Sequence, residues 1–331
     1  MTGSLFSLLI WAQPALAGDL VVTLLDVGQG DAVLLETPGG ATVLVDAGLA
    51  KARVSHQLRQ LGVEHLDLVV ASHPHADHIG GMAEVLTTWT PDLFWYSGMD
   101  HTTQAWAKVK AALQTDDIET VAVQLGDTLE LDDVRIEVLW PADTLLRNTR
   151  SDLNANSVVL RVEHGQDCLL LTGDAEEVTE RQLLRRGLEQ CDVLKVAHHG
   201  SRHSNTESWF DAVQPEIALI SVGRDNRYHH PSEETMTRLV GCEAAIFRTD
   251  LTGVIQLVSS GDGWTVRDGL PWDAPVDPAL VVVPPLPPEP VADADPVQAD
   301  TATTPVSPVA RKGWLRRLLD RRRARRATRQ L

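Results

Sequence analysis

The succession of apolar runs in this 331-residue chain predicts an α+β architecture, with two mixed sheets packed face to face and helices outside. Strand-like runs come first in hairpin-like pairs. They then alternate with helical stretches, and the same succession returns in the second half of the chain.

Residues 20–27, 32–36 and 42–46 read as strands, with Pro38-Gly39-Gly40 as the turn between the last two. A helical stretch near 51–61 leads to an apolar strand at 66–72. A histidine-rich segment follows that strand at once, and a helix is expected to start near Gly80. Further strands are expected at 134–140, 157–163, 168–172, 193–197, 217–222, 244–247 and 254–258, and helices at 176–186 and 232–240. No short-period repeat is visible.

The flanks differ from this body, which is expected to fold as one domain over 18–269. Residues 1–17 contain an apolar run that closes on Ala15-Leu16-Ala17, the form of a signal-peptide core with its cleavage site, although no Lys or Arg precedes it. A misassigned start codon or a remnant of a membrane segment is the other reading. Export is therefore expected, with membrane association through the N-terminus or the basic tail. Residues 270–310 are rich in Pro, Ala and Asp and read as an extended linker. Residues 311–331 hold ten Lys/Arg against Asp320 alone, a basic tail expected to bind anionic lipid or nucleic acid.

The net charge of −17 thus hides a far more acidic body. Such a body argues against broad nucleic-acid coating. It leaves room for a nucleic-acid substrate, because bound divalent cations reverse the local sign at a site. The three cysteines, Cys168, Cys191 and Cys242, are too few and too scattered to suggest a disulfide framework or a thiolate zinc site.

The chemistry concentrates in Ser72-His73-Pro74-His75-Ala76-Asp77-His78-Ile79-Gly80-Gly81. Neutral imidazole and carboxylate are the donors that Zn²⁺ and Mn²⁺ accept. His73 and His75, two residues apart, can reach one ion while Asp77 and His78 turn to a second.

This H-x-H-x-D-H pattern after a strand resembles the main motif of the metallo-β-lactamase superfamily. Other segments are similar to its ComEC-type branch, the hydrolase part of competence proteins for DNA internalisation. They are Leu25-Asp26-Val27-Gly28-Gln29-Gly30-Asp31-Ala32, Leu44-Val45-Asp46-Ala47-Gly48, and Asn154 to Ser157 with Leu171-Thr172-Gly173-Asp174. Lys195-Val196-Ala197-His198-His199-Gly200-Ser201 and Asn226-Arg227-Tyr228-His229-His230-Pro231 complete the set. The resemblance covers roughly residues 19–267. It implies a four-layer αββα sandwich with two divalent ions, Zn²⁺ or Mn²⁺, at the edge of the sheets. It does not reach the membrane channel that ComEC-type proteins carry, so the hydrolase is expected to stand alone and no transport role is implied.

By this resemblance Asp174 takes the place of the carboxylate that bridges the ions; alone it also suits a helix N-cap. Adjacent side chains leaving a strand end diverge. His198 is accordingly read as a ligand, and His199 as a contact to substrate or to a ligand. Gly200 and Ser201 suit close approach of an anionic group. His230 is a candidate for the leaving group or a metal, or a turn residue before a helix. Many superfamily members have a further histidine ligand before the bridging Asp. Asn154, Asn156 and Ser157 stand there instead, while His164 reads as structural. A donor set with less nitrogen is harder and favours Mn²⁺. Asp26 and Asp31 either reach the site or brace its loop, and Asp46 is expected to orient the motif through hydrogen bonds.

The activity so implied is a phosphodiesterase or nuclease in which a metal-bridged hydroxide attacks phosphorus, with Asp77, His199, Ser201 and His230 at the reaction centre. Hydrolysis of a lactone, thioester or β-lactam, and a non-catalytic metal-binding envelope protein, are the alternatives.

Overall fold

The structure, a computed structural model, describes residues 18–267. The expected signal peptide, linker and basic tail lie outside the described residues. Six strands open the first sheet: β1 (Leu20–Leu24), β2 (Val33–Glu36), β3 (Thr42–Val45), β4 (Leu68–Ala71), β5 (Leu93–Tyr96) and β6 (Glu119–Ala122). The second sheet follows with β7 (Thr128–Leu131), β8 (Val134–Trp140), β9 (Val159–His164), β10 (Asp167–Leu171), β11 (Val193–Lys195), β12 (Ile217–Ile220) and β13 (Ala245–Arg248). The chain then returns to the first sheet with β14 (Ile255–Ser259) and β15 (Trp264–Arg267), giving the orders β15-β14-β1-β2-β3-β4-β5-β6 and β13-β12-β11-β10-β9-β8-β7.

The helices are α1 (Val54–Gln60), α2 (Ala76–Ile79), α3 (Met82–Trp89), α4 (Gln104–Thr115), α5 (Asp152–Ala155), α6 (Glu177–Arg185), α7 (Glu207–Val213), α8 (Glu233–Gly241) and α9 (Thr249–Thr252).

Period-two alternation sorts the strand side chains into layers. Leu68 and Val70 of β4 join Leu169 and Leu171 of β10 in the core between the sheets. Val69 and Ala71 turn outward to Leu58 of α1, Val85 of α3 and Val109 of α4. On the far side, Leu170 and Leu194 pack against Leu183 of α6, Phe210 of α7 and Leu239 of α8. Both faces of the central strands are therefore covered, which is why their sequences run apolar without a break. The result is the four-layer αββα sandwich.

Several elements differ from the sequence reading. The run from 93 to 131 carries three strands and α4 that the sequence analysis did not pick out. The helix expected near Gly80 is α3, which begins at Met82, and a further short helix, α2, lies inside the histidine motif. The cysteines do not all stay apart: Cys168 on β10 is bonded to Cys191, just before β11, with their Cα atoms 5.0 Å apart. Spacing alone hid this, since β10 and β11 meet as neighbouring parallel strands only after the α6 crossover.

A candidate metal centre at the sheet edges

Strands β3 to β6 run parallel in one sheet and β10 to β13 in the other. The segments leaving β3, β4, β10, β11 and β12 at their carboxyl ends converge. A crevice outside the carboxyl ends of parallel strands is where side chains from distant sequence can meet.

The histidine motif leaves β4 and is held by Asp46, at the end of β3. Ser72 donates its backbone N–H to Asp46 Oδ1 at 2.8 Å and its hydroxyl to Asp46 Oδ2 at 2.6 Å. His78 Nδ1 lies 2.7 Å from the same Oδ2, so its proton points to Asp46 and Nε2 is left facing inward. Asp46 thus makes the orienting bonds expected of it. Gly30, at φ +136°, brings the first loop against the motif, where Asp31 donates its N–H to Asp77 O at 3.2 Å. A β-carbon at Gly30 would stand 2.1 Å from that same carbonyl oxygen.

Asp174 sits between two sets of nitrogens. Its Oδ2 faces His73 Nε2 at 3.7 Å and His198 Nε2 at 3.6 Å. Its Oδ1 faces His78 Nε2 at 3.1 Å, out of line for a hydrogen bond, and His199 Nε2 at 3.6 Å. His75 Nδ1 adds to the first set, 2.9 Å from His73 Nε2, and Asp77 Oδ2 to the second, 3.6 Å from His199 Nε2. Donor atoms of His73, His75 and Asp174 lie within 4.8 Å of one another, and so do those of Asp77, His78 and His199.

His198 and His199 reach opposite sides because both adopt left-handed backbone, φ 52° and 55°. Such backbone costs a non-glycine residue about 1–3 kcal/mol, and strain of this kind gathers at functional sites. His199 is 1% exposed and its Nδ1 is 2.9 Å from Ser221 O, which leaves Nε2 as the free nitrogen. His199, read from the sequence as a contact to substrate or to a ligand, lies buried between Asp77 and Asp174.

The electrostatics fit cations. Burial opposes the charge on His78 and His199, yet Asp174 with Asp46, and Asp174 with Asp31, outweigh it: His78 is held well above its ordinary value and His199 up to about 10. Divalent cations answer the same negative charge and release those protons on binding. Burial keeps His73 neutral well below its ordinary value and takes His198 down to about 4. His78 Nε2, His199 Nε2 and Asp174 Oδ1 are buried without a hydrogen-bond partner, the condition of ligand atoms rather than of a satisfied polar core. The donor set and these unpaired atoms fit divalent metal ions.

Other expected residues are placed as follows. Ser201 is buried, and its hydroxyl accepts from the His203 N–H at 3.3 Å. His230 is half-buried, its ring centroid 5.9 Å from that of His198 and its Nδ1 without a partner. Asn156 and Ser157 serve the backbone, through Leu146 and Asp152 and through the Asp174 N–H. His164 bonds Ser259 Oγ at 2.7 Å, a structural role. Asp26 accepts from Gly28 N–H and braces its own loop.

Lys195 is quoted in its motif above without a role. It is 1% exposed and pairs with Asp31 Oδ2 at 2.8 Å, while Asp31 Oδ1 lies 3.3 Å from His199 Nδ1. Burial opposes the charge on Asp31, but Lys195 and His199 prevail and hold its carboxyl at about 2. A lysine inside the apolar run Val193-Leu194-Lys195-Val196-Ala197 was the signal that could have found it.

A profile of the metallo-beta-lactamase superfamily matches residues 25–224. The chain belongs to that superfamily. Among curated proteins, this superfamily member is 30% identical over 275 residues to ComE operon protein 3 of Bacillus subtilis (strain 168), covering 75% of this chain and 34% of that protein. It is 31% identical over 249 residues to Competence protein ComA of Neisseria gonorrhoeae, covering 72% and 32%. The chain therefore spans about a third of the length of these curated relatives. Among solved structures, CmlA, a diiron β-hydroxylase from Streptomyces venezuelae, shares the fold with a TM-score of 0.50 and 14% identity over 75% of this chain and 55% of its own. Superfamily and donor set together make the chain a metal-dependent hydrolase of ComEC-like type. Among the described residues, no helix is long and apolar enough to cross a membrane.

Proposed function

We propose that this chain is a metal-dependent phosphodiesterase acting on nucleic acid. His73, His75 and His198 hold one divalent ion, Asp77, His78 and His199 hold the other, and Asp174 is shared. The observation that carries the reading is the division of four histidines over the two oxygens of one carboxylate. His198 then stands where the sequence lacked a third histidine. The first ion so gains a nitrogen-rich set suited to Zn²⁺, and only the second keeps the harder set that favours Mn²⁺. The relatives named for competence support a nucleic-acid substrate.

Two divalent ions held there supply Lewis acidity and an activated nucleophile at neutral pH. The chain's own residues do the positioning. Asp46 and Ser221 fix the tautomers of His78 and His199 so that each Nε2 faces Asp174. Lys195 compensates Asp31 behind them. Burial pushes His230 down to about 3, so a neutral imidazole beside His198 offers a hydrogen bond to a phosphate oxygen.

The test is metal analysis beside turnover of bis(p-nitrophenyl) phosphate in Mn²⁺ and in Zn²⁺. His198→Ala and His199→Ala are each expected to lose one ion of the pair and to slow turnover by about 10²–10⁴-fold. Full occupancy in both variants rejects the ligand division. Turnover of a lactone or β-lactam with none of the diester rejects the phosphodiesterase.

Export is proposed alongside. The apolar N-terminal run supports it, and so does the Cys168–Cys191 bond, because disulfides persist in oxidising compartments. The mature protein from its native host is expected to begin near Gly18 on N-terminal sequencing. An intact Met1 on cytoplasmic protein counts against export.

A further inference from the structure

Four imidazoles turn Nε2 toward Asp174, and three of them are held from behind by an oxygen at the other ring nitrogen. His73 Nδ1 lies 3.1 Å from Ser72 Oγ, which gives its own proton to Asp46 and is left to accept. His78 Nδ1 lies 2.7 Å from Asp46 Oδ2, and His199 Nδ1 lies 2.9 Å from Ser221 O. His198 differs. Its Nδ1 is buried and makes no hydrogen bond.

The oxygen that faces this nitrogen is Glu176 Oε1, at 4.0 Å. Glu176 is 4% exposed, and a glutamate is rarely buried so far unless it is paired. Its other contacts are slight. Asn154 donates to Oε1 through Nδ2 at 3.3 Å, and the exposed Arg150 guanidinium stands 4.0 Å from the same oxygen.

Helix capping does not account for the carboxylate either. Glu176 occupies the N-cap position of α6, where a side-chain oxygen can accept from the first N–H groups of the helix, yet its side chain makes no such bond. It turns toward His198 instead. The His198 ring therefore stands between two carboxylates, with Asp174 Oδ2 at 3.6 Å from Nε2 and Glu176 at Nδ1. A ligand imidazole donates its second N–H to an oxygen behind it, which fixes the tautomer and the ring orientation and makes the ligand nitrogen more basic.

We propose that Glu176 is the positioning residue for His198: its carboxylate accepts the Nδ1–H and holds Nε2 toward Asp174. The inference rests on the ligand division proposed above, in which His198 holds the first ion. It adds the residue on which that ligand depends, and it gives the turn between β10 and α6 two tasks, the shared carboxylate at Asp174 and the outer one at Glu176.

The full-length protein is loaded with Zn²⁺, and the affinity of each ion is read by competition with a chromophoric chelator. Glu176→Ala is expected to weaken one ion of the pair by about 10–100-fold, the worth of an outer partner, and to leave the other as in the parent. Glu176→Gln keeps an acceptor oxygen in the same place and is expected to recover most of that affinity. With Co²⁺ in place of Zn²⁺, the visible absorption of one ion and not of both is expected to change in Glu176→Ala. Far-UV circular dichroism confirms the fold, and Glu176→Met, which fills the space without an acceptor, serves if the alanine variant does not fold. Parent-like affinity for both ions in Glu176→Ala overturns the assignment. Equal weakening of both ions does the same, as does a Glu176→Gln variant that binds no tighter than Glu176→Ala. His198→Ala separates this inference from the reading beneath it. If that variant keeps both ions, the ligand division fails and Glu176 falls with it. If it loses one ion while Glu176→Ala keeps both, the division stands and Glu176 alone is refuted.

Discussion

Asp174→Ala is expected to lose both metal ions at once and with them the hydrolase activity. Its two oxygens each face a separate group of donors, Oδ2 toward His73 and His198 and Oδ1 toward His78 and His199. Alanine removes a ligand from both groups and the negative charge that lets two cations lie close together. Loss of an outer hydrogen-bond partner costs about 10–100-fold in metal affinity, and loss of a shared ligand costs each ion at least that. The carboxylate is 2% exposed and its Oδ1 has no hydrogen-bond partner. Metal analysis of the purified variant decides the matter, with far-UV circular dichroism to confirm the fold. Asp174→Asn keeps the shape and removes the charge, and is expected to retain less metal than either single-histidine variant. Two ions per chain and unchanged turnover in Asp174→Ala would reject the shared site.

A second large effect is expected at a residue that carries no donor. Gly30→Ala places a β-carbon 2.1 Å from the carbonyl oxygen of Asp77, on a backbone with φ +136° that side chains rarely adopt. Strained backbone of this kind costs about 1–3 kcal/mol before the clash is counted. The relief has to come from the segment that presents Asp77, because the obstructing atom is backbone rather than a side chain able to swing away. The expected outcome is a lower midpoint in urea together with selective loss of the ion held by Asp77, His78 and His199. Gly28→Ala is the control: φ is again positive, +69°, but nothing lies within 4 Å of the new carbon. Equal metal content and equal midpoints for the two variants would show that the contact between the first loop and the motif does not hold the site.

Both expectations turn on contacts between segments far apart in the chain, and this sets how much of the site was legible beforehand. Residue type and local spacing marked His73, His75, Asp77 and His78, because four donors within six residues are a local fact. The layers were legible for the same reason. Alternation along β4 assigns Leu68 and Val70 to one face and Val69 and Ala71 to the other without knowledge of what covers them. Strands β5, β6 and β7 escaped; β6 and β7 form no apolar run, with Glu119 and Thr120 in one and Thr128 and Glu130 in the other.

The sequence by itself determined the layered class, the donor types and the order in which they arrive. Tertiary structure decided how they are shared. Nothing in a His-His pair says that both residues take left-handed backbone, and that conformation sends His198 to one oxygen of Asp174 and His199 to the other. Lys195 meets Asp31 across 164 positions, and Cys168 meets Cys191 only when β10 and β11 lie parallel. Side-chain periodicity is set by the backbone geometry of a few residues, whereas these meetings are set by strand order and crossover. No local pattern carries that information, because it is fixed only when both sheets close over their common core.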